Sequence, residues 1–262
     1  MNPRLCLVAL LAMGPTVYAQ VGGIVLSVDN GKQVRAVARL VGDRWVSEKW
    51  CTADGPQTVD ARDRITVSGD LRIVTTRAVA PASDEWLRLA PTIVDIFERD
   101  EQDHPLLSGK TSNAPRAVDW VYSAEHANRR MYYFEASRRV SSPVDPDNDT
   151  DPRGTLRVAV AGFLHDGGAR LVPLGTKSEL RWEQDGLPAG PQRPDLTPLG
   201  LVVHGGQSVW VMKGQSGTSI WFTLYDVSST GIRTLVTTRG VHCREAVDVL
   251  NGASLVVRFA RR

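Results

Sequence analysis

The sequence predicts an all-β protein, an antiparallel sandwich-like fold of many short strands joined by hairpins. The first observation that predicts this fold is period-two alternation in short segments. In residues 34–40, for example, apolar side chains alternate with Arg35 and Arg39. Turn signals separate such segments, as at Asp29-Asn30-Gly31 and at Gly205-Gly206. Only one segment, residues 83–89, has helical character. Regularly spaced strands with turns between them are typical of antiparallel β proteins.

Each predicted hairpin consists of two such strands around a turn rich in glycine, asparagine or aspartate. In chain order, the predicted strand pairs are 23–28 with 34–40, 65–67 with 71–79, 117–124 with 131–140, 156–164 with 169–174, 200–203 with 208–212, and 220–227 with 232–238. A closing strand is predicted at 255–259. The short helix is predicted to begin after an N-cap at Ser83 and to end at Pro91.

A small β-propeller of five or six blades is the alternative arrangement of these strands. Segments 162–168 and 200–206 resemble each other, and their spacing is close to the roughly 40 residues of a propeller blade. No blade motif repeats along the chain. The sequence therefore favours the sandwich-like fold over the propeller.

Residues 1–19 have the three-part layout of a secretory signal peptide. Arg4 supplies the positive start, residues 5–13 form the apolar core, and Val17-Tyr18-Ala19 places small residues before the cleavage point. The apolar core is too short to span a membrane, which takes about 20 residues. We therefore expect no membrane span, a secreted or periplasmic protein, and a mature chain of residues 20–262 forming a single all-β domain. Residues 104–116 are the candidate boundary if the domain is subdivided.

Charge and cysteine content narrow the function classes. The net charge of the chain is +2, which argues against nucleic-acid binding, since that function depends on a dominant basic surface. Removal of the signal peptide takes away Cys6 and leaves Cys51 and Cys243 in an oxidising compartment. The sequence predicts a disulfide between these two residues, with two separate buried thiols as the alternative.

An acidic turn suggests calcium, the one cofactor that the sequence indicates. Carboxylates stand at alternate positions, Asp145, Asp147, Asp149 and Asp151, as in the first half of a calcium-binding loop. The glycine and the bidentate glutamate that complete an EF-hand loop are absent in either register. The alternative is a solvated acidic turn stiffened by Pro146 and Pro152.

A run of three aromatic residues, Tyr132, Tyr133 and Phe134, is the candidate ligand-binding surface. In a strand, Tyr133 points to one face and its two neighbours to the other. Where such a face is exposed, it presents a flat surface on which sugars or a partner protein stack. The alternative is that the three rings fill the core.

Catalytic motifs are sparse, and no catalytic pair stands out. Glu135 and Asp119 are candidates for the paired carboxylates of a glycosidase, because each lies inside a predicted strand, where a charge is unusual. The serine in Gly214-Gln215-Ser216-Gly217 lacks the spacing of a nucleophile elbow, and the histidines follow no metal-binding spacing. We therefore predict non-catalytic binding of a ligand or partner at the cell envelope, with a secreted hydrolase of glycans or esters as the alternative.

Overall fold

The computed structural model describes residues 21–29, 33–48, 51–52, 63–102, 115–141, 155–168, 170–183, 195–216, 219–228, 231–239 and 241–242. These residues form mostly strands, together with one helix. In chain order the elements are β1 (Val21–Asp29), β2 (Gln33–Val41), β3 (Arg44–Ser47), β4 (Cys51–Thr52), β5 (Arg64–Val67), β6 (Arg72–Val74), β7 (Arg77–Ala78), α1 (Asp84–Gln102), β8 (Ala117–His126), β9 (Arg129–Ser141), β10 (Thr155–Asp166), β11 (Leu171–Glu183), β12 (Leu196–His204), β13 (Gln207–Ser216), β14 (Ser219–Ser228), β15 (Gly231–Arg239) and β16 (Val241–His242).

Three antiparallel sheets contain nearly all of these strands. The outer sheet has the strand order β3-β2-β1-β5, the helix-covered sheet has the order β11-β10-β9-β8-β7, and the central sheet has the order β15-β14-β13-β12-β6. The short strands β4 and β16 form a separate parallel pair. This architecture confirms the prediction of an all-β, antiparallel, sandwich-like fold.

The three sheets stack in layers, and α1 adds a fourth layer. One face of the central sheet packs against the outer sheet, through residues such as Val202 and Val209. Its other face packs against the helix-covered sheet, through Leu201 and Trp210. The opposite face of the helix-covered sheet packs against α1. Two of the three sheets are therefore buried on both faces, which explains the continuous apolar runs of β12 and β13.

Five of the predicted hairpins are confirmed. They are the pairs β1–β2, β8–β9, β10–β11, β12–β13 and β14–β15. The β8–β9 turn has positive φ at both Ala127 (51°) and Asn128 (60°), and the β12–β13 turn has it at Gly205 and Gly206. Two consecutive positive φ angles match the twist of the flanking strands, which is why these turns form tight hairpins.

The predicted hairpin of 65–67 with 71–79 is wrong. Here β5 pairs with β1 of the outer sheet, β6 pairs with β12 of the central sheet, and β7 pairs with β8 of the helix-covered sheet. The turn at Gly69 is fastened to β1, because Ser68 N–H donates to the Ile24 carbonyl and Asp70 N–H to the Gly22 carbonyl. A Cβ on Gly69 would lie 2.5 Å from the Gly22 oxygen, so this close approach requires glycine. The chain thus crosses all three sheets within residues 64–78.

The helix begins where predicted but continues well beyond Pro91. The Ser83 hydroxyl accepts a hydrogen bond from the Trp86 N–H (3.2 Å), as an N-cap does. Apolar residues then recur at helical spacing, and Leu89, Ile93, Ile96 and Phe97 are all buried against the helix-covered sheet. Burial of this face compensates for the backbone hydrogen bond that Pro91 cannot make.

Several predictions fall outside the described residues: the signal peptide at 1–19, the acidic turn at 145–151 and the closing strand at 255–259. The candidate boundary at 104–116 also lies outside the described residues, except for its last two positions. All four of these features remain predictions. Among the described residues, no helix is long and apolar enough to cross a membrane.

Candidate functional site

A cavity of about 350 Å³ lies between the facing surfaces of the helix-covered sheet and the central sheet. It opens where small residues replace large ones along β10. Phe163 fills the space between the two sheets and contacts Tyr133 and Trp210, each with ring centroids 5.3 Å apart. The next residues on the same face of β10 are Ala161 and Ala159, and both line the cavity. The change from a ring to methyl groups leaves the space unfilled.

Glu135 on β9 is the buried polar centre of this cavity. Its side chain lies on the face that points to the central sheet, and the residue is only 3% exposed. One carboxylate oxygen, Oε1, accepts hydrogen bonds from the Tyr133 hydroxyl (2.6 Å) and the Leu196 N–H (3.0 Å). The other, Oε2, accepts one from the Asp195 N–H (2.9 Å). Glu135 therefore fastens β9 to the start of β12 across the two sheets.

Burial changes the charge state of Glu135. Removal from water raises the pKa of its carboxyl group from 4.5 to about 7, and the nearby charge of Asp195 acts in the same direction. The three hydrogen bonds lower the pKa but do not cancel the effect of burial. Near neutral pH, the cavity therefore holds Glu135 in both its charged and its neutral form.

Asp119, the other carboxylate that the sequence singled out, does not line this cavity. It sits at a bulge in β8, where the pairing with β9 shifts between Val118 and Trp120. Arg157 Nη2 lies 3.3 Å from Asp119 Oδ2. Burial raises the pKa of Asp119, while a hydrogen bond from Ser137 and the charge of Arg157 lower it. The described residues that line the cavity include Arg157 and Glu135 but not Asp119. The second carboxylate in the cavity is Asp195, which sequence reasoning missed.

Aromatic rings form much of the opposite wall. Trp221 and Tyr225 of β14 line the cavity, and Tyr133 lines it from the side of Glu135. Trp221 lies opposite Gly214 in the central sheet. A Cβ on Gly214 would lie 2.2 Å from Cε2 of Trp221, so the indole occupies space that only glycine leaves open. Gly214 therefore sets the position of this ring.

The aromatic run Tyr132, Tyr133 and Phe134 forms no exposed stacking surface, because each residue is at most 1% exposed. Tyr132 and Phe134 pack in the cluster beneath α1, where Arg88 donates a hydrogen bond to the Tyr132 hydroxyl (2.9 Å). Tyr133 points the other way, into the interface with the central sheet. The three rings fill the core, which is the alternative that the sequence left open, because the sheet is covered on both sides. A ligand-binding role remains a prediction for Tyr133 in the cavity.

The predicted metal and disulfide sites lie largely outside the described residues. Asp145, Asp147, Asp149 and Asp151 are outside them, and the described residues contain no group of three or more His, Cys, Asp or Glu side chains that would hold a metal ion. Cys51 begins β4, which pairs in parallel with β16, and β16 ends at His242. Cys243 follows in the sequence but is not described, so the disulfide stays a prediction.

Comparisons of the chain with protein-family models, with curated proteins and with solved structures find no match. The candidate function therefore rests on the cavity itself. Of its lining residues, the sequence had pointed to Tyr133 and Glu135. The signal for Glu135 was a charge inside a predicted strand. No such signal marked Lys177, Asp195 and Trp221. These residues come from strands and a loop far apart in the chain, so the sequence does not show that they meet.

Proposed function

We propose that this chain is an exported, non-catalytic binding protein whose ligand is a small polar molecule held between the helix-covered sheet and the central sheet. We call the space that it occupies the binding cavity. Its volume of about 350 Å³ falls in the range of small-molecule sites, roughly 300 to 1,000 Å³. Aromatic rings with a few fixed polar groups are also the usual lining of such sites.

The observation that carries the proposal is the fixed position of Glu135. Three hydrogen bonds from the protein hold a buried carboxyl group at the cavity wall. A group fixed in this way needs no reorganisation when a ligand arrives, which favours tight and specific binding.

The same geometry argues against the hydrolase alternative. A glycosidase uses two carboxyl groups on opposite sides of the scissile bond, one of which passes a proton to the leaving group. Here the protein fills three of the roughly four acceptor positions of Glu135 and holds the group in one orientation. The position that is left suits a ligand donor, which favours binding over proton transfer.

Export is the part of the proposal that rests on the sequence. The signal peptide at residues 1–19 supports a periplasmic or secreted location, where the ligand or partner belongs to the envelope or the medium. Calcium bound by the acidic turn at 145–151 remains part of this proposal as a second, separate ligand.

The test is the thermal unfolding midpoint of the purified protein with small polar compounds. The panel contains glucose, N-acetylglucosamine, succinate, choline and glycine, each at about 10 mM. We expect at least one compound to raise the midpoint by several degrees, because a ligand at 100 times its Kd adds about 2.7 kcal/mol. The shift should disappear in Trp221→Leu. It should persist in Trp45→Leu, which alters a separate cavity between the outer and central sheets.

A second assay addresses the hydrolase alternative directly. The protein is incubated with 4-nitrophenyl glycosides and 4-nitrophenyl acetate, and release of nitrophenol is followed. We expect no release above that of the uncatalysed reaction. Turnover that Glu135→Gln abolishes, and that the exposed-site control Glu125→Gln leaves unchanged, would contradict the binding proposal and establish the hydrolase.

A further inference from the structure

We propose that the ligand of the binding cavity carries a cationic amine group, and that this group lies against the carboxylate of Glu135. The inference rests on the proposed function and adds the chemical class of the ligand. Primary to quaternary ammonium compounds belong to this class, with or without an acidic group elsewhere in the molecule.

Glu135 has no cationic partner among the described residues. Its three hydrogen-bond donors are a hydroxyl and two backbone N–H groups, and all are neutral. Three other carboxylates with side chains at most 9% exposed are paired with cations: Glu101 with Arg116 and Arg138, Asp63 with Lys213, and Asp119 with Arg157. Buried charges in proteins are normally paired in this way. A ligand cation at the cavity wall would supply the missing charge.

Aromatic rings also line the binding cavity. Tyr133, Trp221 and Tyr225 all line it. The faces of aromatic rings attract cations, and cages of such rings are a common means of binding quaternary ammonium groups. A carboxylate among aromatic rings therefore matches an ammonium group better than a neutral sugar, which has no charge to offset that of Glu135.

The other charged groups around Glu135 are compatible with this ligand. The titratable and charged groups on the strands around Glu135 are Tyr122 and Asp119 on β8, Tyr133 on β9, Arg157 on β10, Lys177 on β11, Asp195 before β12 and Tyr225 on β14. Asp195 adds a second negative charge near Glu135. Arg157 is paired with Asp119.

Lys177 lies two strands away from Glu135. The residues pair in the row Glu135, Ala161, Lys177, so their backbones are roughly 10 Å apart. Lys177 is also exposed. An amine next to Glu135 is therefore separated from this cation, and an acidic group of a zwitterionic ligand would lie nearer to it.

The raised pKa of Glu135 gives the inference a second, independent readout. A cation binds the carboxylate form and not the neutral form, so binding should release a proton and strengthen as the pH rises through about 7. From the population of the carboxylate form, we expect about tenfold tighter binding at pH 8 than at pH 6.

The experiment is isothermal titration calorimetry of the purified protein with four probes. Choline, ethanolamine and glycine betaine carry an ammonium group at both pH values, and 3,3-dimethylbutan-1-ol is the neutral isostere of choline. We expect at least one ammonium probe to bind and the neutral isostere not to bind. Binding should be lost in Glu135→Gln and retained in Glu125→Gln, which alters an exposed carboxylate on β8. If circular dichroism shows that Glu135→Gln is unfolded, the pH dependence of the wild-type protein decides instead.

The outcomes separate this inference from the proposed function. Binding of glucose or of the neutral isostere, abolished by Trp221→Leu, with no binding of the ammonium probes, would overturn the inference and leave the proposed function in place. Ammonium binding that is equal at pH 6 and pH 8 and insensitive to Glu135→Gln would also overturn it. No binding by any compound of either panel would overturn both.

Discussion

Burial couples the protonation of Glu135 to the stability of the protein. Its carboxyl group has a pKa of about 7 in the folded protein and 4.5 as its ordinary value. Between these values the folded chain binds a proton that the unfolded chain does not, so the free energy of unfolding falls as the pH rises. The loss is complete once the pH exceeds the folded pKa. A carboxylate with a lowered pKa would act in the opposite direction.

We predict that Glu135→Gln removes this part of the pH dependence. Urea unfolding from about pH 5 to about pH 8 should show that the wild-type protein loses roughly 2–3 kcal/mol relative to the variant, because the pKa is about 7 in the folded protein and 4.5 ordinarily. Glu125→Gln, at an exposed ion pair with Arg130, is the control and should retain the wild-type profile. Identical profiles for the wild-type protein and Glu135→Gln would show that the carboxyl group is not destabilised by burial.

Gly214 has a role that depends on a single contact, the one with Trp221. Its missing side chain leaves room for the indole of Trp221. We predict that Gly214→Ala displaces this ring and destabilises the protein by about 1–3 kcal/mol, as overpacking does. The measurement is urea unfolding, combined with the ligand-induced shift of the thermal midpoint, which should decrease.

A double-mutant cycle is the control for this contact. In a Trp221→Ala background, the space beside residue 214 is vacated, so Gly214→Ala should cost much less. Equal costs in the two backgrounds would mean that Gly214 is required for its backbone rather than for the room it leaves to Trp221.

At the scale of elements, α1 illustrates how packing outweighs a local stop signal. Pro91 was predicted to end the helix, yet α1 continues to Gln102. The apolar stripe that ends with Ile96 and Phe97 is buried under the helix-covered sheet. Buried apolar surface stabilises the later turns by more than the one hydrogen bond that Pro91 removes.

We predict that Pro91→Ala stabilises the protein by about 1–2 kcal/mol. Residue 91 is exposed, so no packing is lost, and alanine regains the helical hydrogen bond to the carbonyl of Leu87. The gain is smaller than the full helix propensity difference, since proline also restricts the unfolded chain. Differential scanning calorimetry should show a higher midpoint. Pro173→Ala, on the exposed edge strand β11, regains no helical bond and should not raise the midpoint; if both variants raise it equally, the helix is not the cause.

At the scale of the whole molecule, the parallel pair of β4 and β16 joins distant parts of the chain. It sets the backbone of Cys51 beside Val241, two residues before Cys243 in the sequence. This proximity supports the predicted disulfide without testing it. A bond between Cys51 and Cys243 would close a loop of most of the chain, for which the entropy model gives about 5 kcal/mol.

We predict that the protein contains the Cys51–Cys243 disulfide and that reduction lowers its free energy of unfolding by up to about 5 kcal/mol. Peptide mapping by mass spectrometry, with and without reductant, identifies the bond. Urea unfolding measures its contribution, and the double variant Cys51→Ser with Cys243→Ser should match the reduced protein. Two titratable thiols in the oxidised, denatured protein would show that the bond does not form.

Part of the site follows from the sequence, and most of it does not. Glu135 stands out as a charge within the predicted strand 131–140, and this signal led to the correct residue. Its neighbours Asp119 and Phe134 seemed equally informative but lie outside the cavity. The sequence alone does not distinguish them, because period-two alternation identifies the two faces of a strand without telling what covers each face.

The sequence by itself determined most of the longer strands, five of the hairpins and the start of the helix. These features depend on turn chemistry, side-chain alternation and an N-cap, all of which act over a few neighbouring residues. The tertiary structure alone decided that β5, β6 and β7 join three different sheets and that Glu135 lies inside. It also decided that Ala161 and Trp221 face each other across a cavity. Those outcomes depend on the stacking of sheets, and hence on contacts between residues far apart in the chain.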